Sequence, residues 1–201
     1  MAVTRERFEL GMTYDEWKAG MTRNRERFEE RERQVEIRPE DLAAFRRLPN
    51  PLNVLVLAED WCGDVINNLP VLGRLAAESG KLNLRVFLRD QNPDLMDQYL
   101  NRGQFRSIPV FAFFDDDFSE SGRWIERPAS VTEAREQRRR EIYAQNPEFG
   151  SPDAPVDQLS EEARTRLAGL IADMREELMP FSNREVIREL REIVERAPAT
   201  A

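Results

Sequence analysis

Three short runs dominated by apolar residues constrain this chain more than any other feature: NVLVLA at 53–58, LRVFL at 84–88 and VFAFF at 110–114. Runs of this length and composition are typical of strands buried inside a domain. Between the first two, VINNLPVLGRLAAESG has helical periodicity and stops at Gly80. NPDLMDQYLNRG predicts a second helix, with Asn92 as N-cap, Pro93 as first residue and Gly103 as stop. After the third run the turn DDDFSESG leads to RWIE at 123–126, a fourth strand paired as a hairpin. Ser130 with Glu133 then opens a helix through about Gln145. The order predicts an α/β domain over 50–146: a four-stranded mixed sheet flanked by helices.

Helical segments surround that middle. Tyr14, Trp17, Met21, Asn24 and Phe28 recur at three- and four-residue spacing behind a Thr13/Glu16 capping box, and RNRERFEERERQ continues the same helix with a solvated, salt-bridged face. Pro39 interrupts, and Leu42, Phe45 and Leu48 mark a short second helix, giving an N-terminal helical extension over 1–49. NPEFGSPDAP at 146–155 is a Pro/Gly-rich linker. Beyond it, the stripe from Leu159 to Leu178 is one amphipathic helix ended by Pro180, and Ser182 with Glu185 caps another. Residues 147–201 are therefore expected as a C-terminal helical extension packed on the same domain, with a frayed end.

Composition removes several classes of function. There is no histidine among 201 residues, so Ser/His/Asp and Cys/His triads and histidine metal sites are excluded. The net charge of −8 opposes binding to nucleic acid or anionic lipid. MAVTRERFEL lacks the apolar core of a secretory signal, and no apolar run is long enough to span a bilayer, so a cytoplasmic protein is expected. The single cysteine cannot form an internal disulfide, which fits a reducing compartment. No cofactor or metal is expected. Asp115, Asp116 and Asp117 read as a hairpin turn, and EQRRRE at 136–141 as a solvated helix face.

That cysteine, Cys62, stands in WCGD at the junction of the first strand and first helix, and RSIPV at 106–110 leads into the third strand. Together the two motifs resemble the thioredoxin superfamily. The resemblance implies a thioredoxin-like fold, with Ile108 and a cis Pro109 facing the active site; the alternative is a trans proline starting an edge strand. A narrower resemblance rests on EDWCGD, the RD pair at 89–90, MDQYL, SIPVF and GRW followed by RPA, with MTYDEW in the N-terminal extension. These are similar to a bacterial branch of thioredoxin-like proteins, many with one cysteine here.

The residues around Cys62 carry their own physical reading. A thiol at a helix N-terminus meets unpaired N–H groups and the positive end of the dipole, worth about 0.3–1 kcal/mol toward the thiolate. Asp64 opposes this, since two negative charges about 6 Å apart in mostly aqueous surroundings repel by roughly 1 kcal/mol. Cys62 is expected to be somewhat activated, without a strong depression. Trp61 is either a partly exposed platform beside the sulfur or a packing residue. Gly63 is expected among the residues surrounding the sulfur. The second cysteine of the family's C-x-x-C falls on Val65, so no internal sulfur can resolve a mixed disulfide. The buried acidic residue that typical thioredoxins carry six positions before the first cysteine falls on Val56.

The expected function is thiol-disulfide exchange by a monothiol site, on small-thiol adducts or protein disulfides, with an external low-molecular-weight thiol as co-substrate. The other reading is a non-catalytic thioredoxin-fold module that binds protein, with Cys62 inert.

Overall fold

The structure, a computed structural model, describes residues 3–196; the expected frayed end lies outside them. In chain order the elements are α1 (Arg5–Glu9), α2 (Tyr14–Ala19), α3 (Arg25–Gln34), α4 (Pro39–Arg46), β1 (Leu52–Ala58), α5 (Gly63–Ser79), β2 (Leu82–Leu88), α6 (Pro93–Met96), β3 (Val110–Phe114), β4 (Glu120–Ile125), α7 (Ala129–Gln145), α8 (Glu161–Glu177) and α9 (Met179–Arg196). Among the described residues, those up to Arg127 together with those from Val186 onward form one compact unit, and Pro128–Glu185 forms another. This division runs at 127/128 and 185/186, whereas the sequence-based one runs at 49/50 and 146/147.

In the first unit the four strands lie in the order β2-β1-β3-β4. β1 runs parallel to β2, with Leu52 opposite Leu82 and Ala58 opposite Leu88. It runs antiparallel to β3, with Leu57 opposite Val110, and β3 pairs antiparallel with β4. Every residue of β1 and β3 is buried, as their apolar composition demands, and α5 makes the connection that a parallel pair requires. α5 starts behind Cys62 as N-cap and ends at Gly80, whose left-handed φ of 64° suits glycine. Pro70 inside it supplies no N–H to the carbonyl one turn back, yet it is buried, as are Leu69, Val71 and Leu72.

The N-terminal helices share the core of the sheet: Phe8, Trp17, Phe28, Val35 and Phe45 are buried in the same cluster as Val56, Leu69 and Phe111. The expected capping box at Thr13 and Glu16 is present, but the single long helix behind it is not. α2 stops at Gly20, and the chain turns through Asn24, at φ 56°, before α3 begins. The break escapes a periodicity argument because Trp17 and Phe28 on either side of it both face the core, meeting edge to face at 5.3 Å. The charged run on α3 is also not wholly solvated: Arg31 is buried, donating from Nε to Asn67 Oδ1 at 3.3 Å.

Before α2, Met12 pairs with Val86 on the outer edge of β2, N to O at 3.0 Å one way and 2.7 Å the other. At the other edge, α9 brings Ile193 against Gly122 of β4, where a Cβ would lie 2.7 Å from Ile193 Cγ2.

The predicted helix over 92–103 shrinks to Pro93–Met96. Asn92 is its N-cap residue, as expected, but makes no side-chain cap: its amide donates to the Leu88 carbonyl at 2.7 Å, and its Oδ1 accepts from Arg7 at 2.7 Å. The chain then passes through left-handed Arg102 and Gly103 and a backbone pair between Asn101 and Phe105.

In the second unit, α7 begins at Ala129 behind Pro128, so Ser130 lies inside the helix and donates to Glu185 instead of capping. The segment after α7 is more than a linker, since Phe149 is buried against Tyr143 and Leu167. Pro180 sits in the first turn of α9, where a missing N–H costs nothing, so it starts that helix and Ser182 is internal.

Gly73 marks a close approach inside the first unit. A Cβ there would lie 2.4 Å from the ring of Tyr14, whose hydroxyl donates to Glu32 at 2.7 Å. Alanine usually gains about 1 kcal/mol over glycine in a helix, but overpacking of this kind costs about 1–3 kcal/mol. Gly73→Ala is therefore expected to lower the urea midpoint, and a raised midpoint would mean that Tyr14 yields freely.

Candidate thiol site

The turn from β1 into α5 sets the position of the sulfur. The Cys62 N–H donates to the Glu59 carbonyl at 3.2 Å, and the Cys62 carbonyl accepts from Ile66 at 3.0 Å, opening the helix. The Ile108–Pro109 peptide bond is cis, and the Cys62 thiol donates to the Ile108 carbonyl at a sulfur–oxygen distance of 3.6 Å. WCGD and SIPV, distant in sequence, therefore meet at the sulfur. Gly63 is exposed with open space around its Cα, and Val65 is fully buried, as is Val56 in β1.

The expected activation of Cys62 is not found. Burial pushes the thiol above its ordinary value; the N–H groups of Val65 and Asp64 pull the other way, the Asp64 carboxylate pushes up again, and Arg89 pulls down. The helix terminus acts as anticipated, but the thiol sits partly beneath other groups, and desolvation of a thiolate outweighs two amides and a dipole. The carbonyl of Ile108 also favours the neutral form, because it accepts a bond that only S–H can donate.

Trp61 is 42% exposed, so it is not a buried packing residue. The Arg89 guanidinium lies 4.7 Å from its ring centroid and is held by Asp90 and by the Arg106 carbonyl at 3.2 Å. Asp60, just before it, is clamped by the N-terminal extension. Its Oδ2 accepts from the N–H groups of Thr22 at 2.7 Å and Arg23 at 2.9 Å, and its carbonyl accepts from the Asn24 side chain at 2.8 Å. Burial pushes the Asp60 carboxyl up, but these donors and the Thr22 hydroxyl outweigh it and hold the group below its ordinary value. The break between α2 and α3 thus has a role, since an uninterrupted helix would not present these N–H groups to a carboxylate. Glu59 is buried and accepts from the Asp90 N–H at 2.9 Å; burial moves its carboxyl upward.

Asp64 has a partner that spacing along the chain did not reveal. Arg127 Nη2 lies 2.6 Å from Asp64 Oδ2 and also pairs with Glu126. GRW followed by RPA carries only a family likeness in the sequence; an ion pair between positions 64 and 127 leaves no local pattern there.

The three aspartates at 115–117 make a turn, with Asp115 Oδ1 accepting from the N–H groups of Asp117 and Ser119, both at 2.9 Å. Among the described residues no group of three or more His, Cys, Asp or Glu could hold a metal ion, and no helix is long and apolar enough to cross a membrane. A cavity of about 640 Å³ is lined by Tyr14, Lys18, Glu32, Gly73 and Arg74, none of which belongs to the thiol site.

Among solved structures, the chain is similar to a protein of unknown function from Pseudomonas aeruginosa, with a TM-score of 0.66 and 19% identity over 98% of this chain and 100% of that one. It is equally similar to an HIV epitope scaffold, with a TM-score of 0.66 and 17% identity over the same shares. At such identities the likeness shows the fold alone. No curated protein matches the sequence significantly. A family model described as thioredoxin matches residues 11–139, more than half of the chain, and with the four-stranded sheet and its flanking helices this means that the chain belongs to the thioredoxin family.

Proposed function

We propose that the protein carries out thiol-disulfide exchange with a single sulfur, in a reducing, cytoplasmic setting and within the bacterial single-cysteine branch that WCGD and MTYDEW resemble. The supporting observation is the meeting of Cys62, at the N-terminus of α5, with Ile108 and Pro109, while the side chain one turn on is Val65. The Cys62 thiolate attacks one sulfur of a small-thiol or protein disulfide, forming a mixed disulfide, and the other sulfur leaves as a thiolate that takes up a proton. An external thiol then attacks the mixed disulfide, returning Cys62 and carrying away the bound half. No sulfur of the chain competes for that second step.

Treatment with 2-hydroxyethyl disulfide should leave one adduct by intact mass, persisting until dithiothreitol is added and absent in Cys62→Ser. Because the thiol is pushed upward, the thiolate fraction is small at neutral pH, and the rate should still be climbing beyond about pH 8.5, where an ordinary thiol is half ionised.

The second reading is a binding module that uses the exposed Trp61 and the groove beside Pro109. The raised Cys62 thiol favours it. If native Cys62 forms no adduct with 2-hydroxyethyl disulfide even well above about pH 9, where a raised thiol also ionises, that reading replaces the first.

A further inference from the structure

The corner after β4 is unusually constrained. Glu126 adopts φ 67°, a left-handed conformation uncommon for a residue with a Cβ, and such outliers persist where surrounding contacts over-determine them. The contacts are present on every side. The Glu126 N–H donates to the Pro109 carbonyl at 2.8 Å, its carbonyl accepts from fully buried Asn68 of α5 at 2.9 Å, and its Oε2 accepts from Asn101 at 2.8 Å. Its Oε1 pairs with Arg127, which reaches Asp64 in the first turn of α5. One two-residue corner thus ties the carbonyl of Pro109 to the helix that carries Cys62.

We infer that Arg127 is a positioning residue for Cys62 acting through Asp64: it holds a cation against the carboxylate beside the thiol, while its corner fixes the Pro109 loop to α5. Among the described residues, Asp64 and Arg89 are the charged groups that act most on the sulfur. Asp64 disfavours the thiolate and Arg89, from the segment after β2, favours it; Glu59 and Asp60 on the preceding turn are held by Asp90 and by Thr22 and Arg23. Of the two charges that act directly, Asp64 opposes the thiolate, and Arg127 covers it at 2.6 Å, with only a quarter of the arginine side chain exposed. Burial on both partners limits solvent screening, so the pairing alters the field at the sulfur more than an exposed pair would.

This inference rests on Cys62 being the exchange nucleophile, and its test separates the two. Iodoacetamide alkylation, which asks only for thiolate, is followed against pH in the full chain. Arg127→Gln should raise the midpoint of the pH–rate curve and slow alkylation at pH 7 about fivefold, as expected for uncovering one charge near the sulfur. Adding Asp64→Asn should restore the rate to within about twofold, because the cation is then no longer needed. Asp64→Asn alone should lower the midpoint, a readout available even if Arg127→Gln folds poorly. A double variant as slow as Arg127→Gln, or an Asp64→Asn midpoint equal to wild type, overturns the inference, as does a native thiol silent to iodoacetamide. Shifted midpoints without any adduct from 2-hydroxyethyl disulfide would leave Arg127's role standing and sink the exchange reading; unmoved midpoints with normal adduct formation would do the reverse.

Discussion

Insulin reduction driven by dithiothreitol should stay near background for the native chain and rise by at least about tenfold on Val65→Cys, because a neighbouring sulfur resolves a mixed disulfide at an effective concentration that no dilute external thiol matches. Val65 lies three residues beyond Cys62, on the same face of the first turn of α5, and its own N–H already acts on the sulfur. The added thiol would replace a side chain with no exposure, so it would be shielded from bulk reagent and presented to the mixed disulfide. The gain should stop well short of a two-cysteine thioredoxin, since Val56 offers no carboxylate to deprotonate the new thiol. Native activity at the level of a two-cysteine thioredoxin would refute the one-sulfur chemistry.

A second large effect is expected far from the thiol. Phe28→Ala should destabilise the chain by about 3–5 kcal/mol, a large fraction of the 5–15 kcal/mol typical of a domain. Phe28 has no exposure, meets Trp17 edge to face at 5.3 Å and lies 6.1 Å from Tyr14. Because these residues share a core with β1, β3 and α5, urea unfolding of the variant should show a lower midpoint for helix and sheet signals together. A separate early transition confined to helical signal would mean that the N-terminal helices form a separable layer.

How much of this was legible in the sequence follows from what each kind of signal reports. Leu57, Phe111 and their neighbours announced buried strands because a residue covered on both sides must be apolar along its whole run. Cys62 and Pro109 were legible because their positions relative to β1 and β3 are local. Periodicity reports which residues face the core but not whether the backbone between them is continuous, so Trp17 and Phe28 suggested one helix where Gly20 and Asn24 divide two. Pro180 reads as a stop because proline is best tolerated in the first turn of a helix, and the sequence alone does not say which helix owns it. The clamp on Asp60 and the pairing of Asp64 with Arg127 join residues dozens of positions apart, and polar pairs carry no spacing rule at such separation. The direction of the Cys62 shift belongs with these: helix dipole and Asp64 were visible, but the burial of the sulfur and its bond to Ile108 depend on how the chain returns 46 residues later.

The contact between Met12 and Val86 bears on how copies of this molecule behave toward one another. β2 is an outer strand, and an outer strand offers unsatisfied N–H and C=O groups to any extended chain that drifts past. Here the molecule's own N-terminal segment occupies that position in the middle of the strand, with both bonds of the pair made. The opposite outer strand is kept irregular by a register shift at Phe113/Phe114 and carries Glu120 and Arg123 as an ion pair. A chain deprived of its first dozen residues would retain WCGD, the Pro109 loop and α5; besides the stability lost with buried Phe8, it would self-associate through an uncovered strand, increasingly so with protein concentration.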